Sequence, residues 1–177
     1  MNSNFSKIDA LRTTQLQVTR SGLFKPVYTL TDGQFTYGQI SCGDYLGRKM
    51  NIDTASGSWL IKQIGFLGKQ IQIIDKSKAE VIGRITKNIW ETKTLLEMND
   101  GFSALLKKGP GFFSRELNWA NDQYGECIKI ISTCKCTTPF NITIDDRLPK
   151  TTAPVALIIL IGINLVLQRQ AQAAAVA

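Results

Sequence analysis

"APVALIILIGINLVLQ" (residues 153–168) is an almost unbroken apolar run in a chain that is otherwise polar and basic. Two readings compete for it: it crosses a membrane as a tail anchor, or the preceding chain wraps around it. From Pro154 to Gln168 the run is about fifteen residues, or about 22 Å as a helix. A bilayer core about 30 Å thick asks for about twenty apolar residues. Asn164 interrupts the run, and Arg169 and Gln170 end it. A run this short is more often a buried core helix than a span. It is apolar on every side, so packing onto one face of a sheet would leave half of it wet. The run demands enclosure. Thr151 or Thr152 reads as its N-cap, with Pro154 in the first turn, where a missing N–H costs little.

The rest of the chain supplies the enclosure. From Arg12 to Ile144 short runs alternate with turn residues at intervals of about ten, the spacing of an all-β sandwich or barrel. "RTTQLQVTR" sets Leu16 and Val18 against Gln15 and Gln17, and "KQIQIID" sets Ile71 and Ile73 against Gln70 and Gln72. Asp32-Gly33 and Asn99-Asp100-Gly101 are hairpin signals, the first followed by a strand with Phe35 and Tyr37 on one face. Gly83, between Val81 and Ile85, marks a bulge or a close approach. The total is about twelve strands over residues 12–145, with no low-complexity linker, hence a single domain over 1–177. A closed barrel of that size is too wide for its own side chains to fill. A central apolar helix over 153–168, about 10 Å across, fills it.

Composition narrows function. The 177 residues carry a net charge of +7 and no histidine. The basic balance favours an anionic partner, although a basic surface also serves solubility alone. Without histidine there is no Ser-His-Asp triad, no Cys-His dyad and no histidine metal ligand. No nucleophile elbow, phosphate loop or metal-ligand set is present, which argues against an enzyme and against any cofactor. No recognition helix or stacking platform accompanies the charge, so nucleic acid is not the expected partner. Cys42, Cys127, Cys134 and Cys136 lack zinc-knuckle spacing and read as reduced, mostly buried thiols. If 126–136 is one strand, Cys134 and Cys136 share a face and Cys127 opposes them. "MNSNFSKIDALRTTQ" lacks the apolar core of a signal peptide, so a cytoplasmic location is expected.

Twelve strands ending in a hydrophobic helix resemble the tubby C-terminal-like fold, shared by tubby proteins, phospholipid scramblases and plant LURP-one-related proteins. The local likeness is to the scramblase and LURP-one branch. "GFLGKQIQIIDKSKAEVIGRITKNIW" (65–90) resembles its strand, Asp-containing turn and Ile-Gly-x-Ile strand. "FNITIDDRLPKTTAPVALIILIGINLVLQ" (140–168) resembles its final strand leading into the helix. The resemblance implies a non-catalytic domain, with phosphoinositide binding in the tubby branch and calcium-dependent lipid movement in the scramblases. The stretch matching the scramblase calcium site carries Asp145 and Asp146 side by side, then Arg147. Adjacent carboxylates on a strand face opposite ways and the arginine opposes a cation, which argues against calcium here. The cysteine-rich segment of animal scramblases is also missing.

Lys62, Lys69, Lys76, Lys78, Arg84 and Lys87 fall on three consecutive candidate strands and their turns. If those strands are neighbours, several of these charges converge on one outer surface suited to lipid phosphate. Lys107 and Lys108 precede an aromatic loop whose Phe112 and Phe113 either meet a lipid interface or begin a core strand. The expectation is a peripheral module for anionic phospholipid or another phosphate-bearing partner. The alternatives are a protein-interaction domain with no lipid ligand, and a tail-anchored membrane protein using residues 153–168.

Overall fold

In the computed structural model the described residues are 4–8, 13–44, 48–65, 70–88, 93–110, 114–148 and 154–174. Twelve strands follow in chain order: β1 (Gln15–Ser21), β2 (Val27–Thr31), β3 (Thr36–Cys42), β4 (Lys49–Thr54), β5 (Gly57–Ile64) and β6 (Gln70–Asp75), then β7 (Glu80–Asn88), β8 (Lys93–Met98), β9 (Ser103–Lys108), β10 (Glu116–Asn121), β11 (Gly125–Ser132) and β12 (Phe140–Ile144). Each pairs antiparallel with its chain neighbour, and β1 pairs with β12, so the sheet closes. One helix, α1 (Val155–Ala174), lies within the barrel. This is the enclosed arrangement that the apolar run demanded.

The wall forms because period-two sequences put β-branched residues on one face. β8 alternates exposed and buried residues along its length, and β12 does the same from Phe140 to Ile144. The inward row of Ile40, Ile52, Ile61, Ile71, Ile73 and Ile85 is fully buried. Turn chemistry fixes the register. Gly33 takes a positive φ of 95°, and the Asp32 carboxylate accepts the N–H groups of Gln34 (2.8 Å) and Phe35 (2.7 Å). Phe35 belongs to this turn and is 54% exposed, so it does not share an inner face with Tyr37. A register shift between Leu30 and Thr31 brings Tyr37 inside alone. Gly83 meets its expectation: a Cβ there would lie 2.6 Å from Met98 Sδ, opposite a shift between Ile73 and Ile74.

The helix begins where the Pro154 carbonyl accepts the N–H groups of Leu157 (2.8 Å) and Ile158 (3.2 Å). Residues Ala156 to Val166 are buried without interruption, and residues from Arg169 to Gln172 are exposed. The helix therefore runs six residues past the expected end at 168. Arg169 and Gln170 mark its exit from the lumen, and the Gln- and Ala-rich segment beyond keeps good helix propensity. Val155–Gln172 would by length and composition alone suffice to cross a bilayer. In this fold its first two-thirds is core, and a tail anchor would have to vacate the lumen. Thr151 and Thr152, the expected N-caps, lie outside the described residues.

Candidate functional site: the basic mouth of the barrel

Alternating strand direction puts the C-terminal ends of the odd-numbered strands at one end of the barrel, the mouth. The tight turns after β2, β4, β6, β8 and β10 lie at the other, the hairpin end. The helix enters at the hairpin end and emerges at the mouth, where Gln168 and Gln172 lie beside Phe24, Lys25 and Gly43.

The two ends differ in charge. The hairpin end gathers Asp32, Asp75, Glu80, Asp100, Asp122 and Asp145. The mouth gathers Arg20, Lys49, Lys62, Lys107, Arg115 and Arg169, and among the described residues its carboxylates are Asp44 and Glu116. Both are engaged. Asp44 Oδ1 accepts the Lys49 N–H at 3.2 Å. Glu116 accepts from Asn118 Nδ2 (2.9 Å) and Lys129 Nζ (3.2 Å), which together hold its carboxyl below the usual range. The mouth also bares Leu23, 82% exposed, and Phe24, 93% exposed.

The basic residues singled out in the sequence separate on folding. Lys62 is exposed on β5, directly opposite Lys49 on β4 and Gln72 on β6. Arg84 is exposed on β7 between Gln72 and Glu97. Lys76 and Lys78 sit in the β6–β7 turn at the acidic end, where Lys76 Nζ donates to Asn51 Oδ1 at 3.3 Å. Lys78 N–H donates to Asp75 Oδ1 at 3.4 Å. Lys87 faces inward, in phase with Gly83 and Ile85, and its Nζ donates to Gln168 Oε1 of the helix at 2.7 Å. Burial and the nearby Arg169 guanidinium push the Lys87 ammonium below its ordinary pKa. Lys69, Phe112 and Phe113 lie outside the described residues. Of the five described, Lys62 and Arg84 share one outer row across Gln72, while Lys76 and Lys78 sit at the other end and Lys87 turns inward.

Another cluster forms instead. Lys108 at the end of β9, Arg115 before β10 and Arg169 on the emerging helix line a cleft of about 460 Å³ with Ser114, Ser132 and Thr133. Cations and hydroxyl donors lining one cleft without a lining carboxylate have the chemistry to accept a phosphate-like oxyanion. Arg115 donates to Cys134 Sγ, and Arg169 Nη2 donates to Thr94 Oγ1 at 3.3 Å. Sequence reasoning missed this cluster because Arg169 joins it only through threading of the helix. Counting strand direction does place Lys108 and Arg115 at one end.

The cysteines correct another expectation. All four are free, but Cys134 and Cys136 are exposed, since β11 ends at Ser132 and both fall in the connection to β12. Cys127 alone is fully buried, donating to the Trp119 carbonyl at 3.2 Å, and burial pushes its thiol pKa up. Among the described residues no three His, Cys, Asp or Glu side chains group closely enough to hold a metal ion. Asp145 is bound to Arg147 through Nε (2.8 Å) and Nη2 (2.7 Å).

Comparison of the chain with protein-family models, curated proteins and solved structures yields no match.

Proposed function

We propose that this protein is a non-catalytic barrel module that docks peripherally, mouth first, on an anionic phospholipid surface from the cytoplasmic side. The carrying observation is the coincidence of bare Leu23 and Phe24 with a basic rim at one end of the barrel. Apolar side chains at a loop tip gain from entering an interface, and each basic residue near an anionic surface contributes about 1 kcal/mol. Lys49 opposite Lys62 is unfavourable in isolation and is relieved by a phosphate layer. The acidic hairpin end orients the molecule by facing away from such a surface. We further propose a place in the tubby C-terminal-like superfamily, near the scramblase and LURP-one branch. The support is a twelve-strand closed barrel around a C-terminal apolar helix, added to the two stretches that resemble that branch.

Co-sedimentation with phosphatidylcholine vesicles, with and without phosphatidylserine, tests the docking. Binding is expected only to the anionic vesicles, weakening as ionic strength rises because exposed charges are screened over about 8 Å at physiological salt. Lys108→Glu with Arg115→Glu should weaken it about tenfold or more. Lys76→Glu with Lys78→Glu, at the far end, should not. Equal binding to both vesicle types at low salt would overturn the reading in favour of a protein-interaction domain.

A further inference from the structure

A second cavity at the mouth, on the other side of the helix, is distinct from the basic cleft. It has a volume of about 970 Å³ and lies between the C-terminal half of α1 and strands β2 to β5. Its apolar walls are Phe24, Pro26, Tyr28, Met50 and Leu167; Lys25 and Asp44 also line it, the Asp44 Oδ1 accepting the Lys49 N–H at 3.2 Å. Asn164 also lines it, 1% exposed, and Asn164 Nδ2 has no hydrogen-bond partner in the protein. A buried amide donor left without a partner pays its desolvation uncompensated, so its presence in an apolar helix calls for an occupant.

The surroundings specify the occupant. Lys87 Nζ donates to Gln168 Oε1 at 2.7 Å, and Gln168 Nε2 donates to Asn164 Oδ1 at 3.3 Å. Asn164 and Gln168 stand one turn apart on the same helix face. Both bonds run in one direction, from the ammonium to Asn164, so each polarises the next and the Asn164 Nδ2–H is the terminal donor. The Arg169 guanidinium, which lines the basic cleft, adds its field at Lys87, and among the described residues no carboxylate is bonded to either cation. An anion gains from this field. A single donor set among apolar walls suits a carboxylate, whereas a phosphate monoester with more charge and three oxygens matches the cleft of Arg115 and Ser114. The volume is in the range of sites for elongated organic ligands.

We propose that this cavity binds a long-chain carboxylate, its carboxylate oxygen accepting from Asn164 Nδ2 and its hydrocarbon lying against Tyr28, Met50 and Leu167. The site shares Phe24 with the docking rim but none of Lys108, Arg115 and Arg169.

The test uses the full chain and cis-parinaric acid, a fluorescent long-chain carboxylate, with its methyl ester as the uncharged counterpart. The acid should bind saturably with one site per chain, and the ester at least tenfold more weakly. Asn164→Leu removes the donor at similar volume. It should weaken the acid at least tenfold, leave the ester unchanged, and hold or raise the thermal midpoint, since it also removes a buried unpaired amide. Should that variant fail to fold, Lys87→Met interrupts the chain at its cationic start and should weaken the acid severalfold. Lys108→Glu with Arg115→Glu should retain the acid within twofold while losing vesicle binding, so the two readings fail separately. Absence of saturable binding, equal affinity for acid and ester, or full affinity in folded Asn164→Leu would each overturn the proposal. So would loss of the acid in the Lys108 and Arg115 variant.

Discussion

Gly162, at the centre of the helix, lies so close to Trp119 on β10 that a Cβ on the glycine would come within 2.7 Å of the indole Nε1. Ile130 Cδ1 on the next strand would be closer still, at 2.4 Å. A glycine inside a helix costs about 1 kcal/mol relative to alanine, and here close packing against the wall is the return. Gly162→Ala should therefore destabilise despite its better helix propensity, by about 1–3 kcal/mol through overpacking. Urea unfolding measures this. Trp119→Phe in the same chain should recover part of the loss, giving a non-zero coupling energy in the double-mutant cycle.

Leu160 is fully buried at the middle of the lumen. Leu160→Asp should cost several kcal/mol, the penalty for an unpaired buried carboxylate. Removing residues 150–177 should abolish soluble folding outright. Expression followed by circular dichroism decides the matter: a soluble truncated chain with cooperative unfolding would mean that the helix is not core.

The thiols should fall into kinetic classes. Cys134 and Cys136 should react with a disulfide reagent at once, Cys42 more slowly, and Cys127 only on unfolding. Quench-flow labelling followed by intact-mass analysis reads the order directly. Protection of Cys134 and Cys136 in the native protein would place their connection inside the molecule.

Asp145 links stability to acid pH. Its carboxyl is held well below the usual carboxylate range, first by the side-chain hydrogen bonds from Arg147 and then by the Arg147 backbone N–H. A depressed carboxyl stabilises fully above its unfolded pKa of about 3.9 and loses that contribution as pH falls towards the folded value. Asp145→Asn should lower the thermal midpoint at pH 6, and the gap to the parent should narrow below about pH 4. Arg147 is exposed and Asp145 partly so, so the effect is small and belongs with surface ion pairs. Melting curves at the two pH values suffice.

The barrel was legible because two periodicities agree. Ile71 and Ile73 alternate with glutamines, and the run from Val155 to Val166 has no polar face, so one calls for a lumen and the other for a wall. Lys87 was grouped with the outer charges, although its two-residue offset from Ile85 points it inward. What could not be read was end-to-end sorting. Lys76 and Lys87 are eleven positions apart, yet one sits in a hairpin turn and the other reaches the helix exit. Arg115 and Arg169 meet only because the helix threads the closed sheet. Such neighbours depend on closure, which leaves no local trace in sequence.

Closure also bears on biosynthesis. Every strand has a chain neighbour to pair with as it is made, except that β1 must wait for β12, with Val18 finally opposite Phe140. The helix is translated after both. A ribosome thus delivers the wall before the residues that fill it, as an open sheet with two unpaired edges and a bare isoleucine face. Such an intermediate is slow to resolve, because its defining contacts join distant segments, and it is prone to aggregate meanwhile. The lumen is therefore filled only after the whole wall has been made, and a chain stalled before Pro154 would keep that isoleucine face bare.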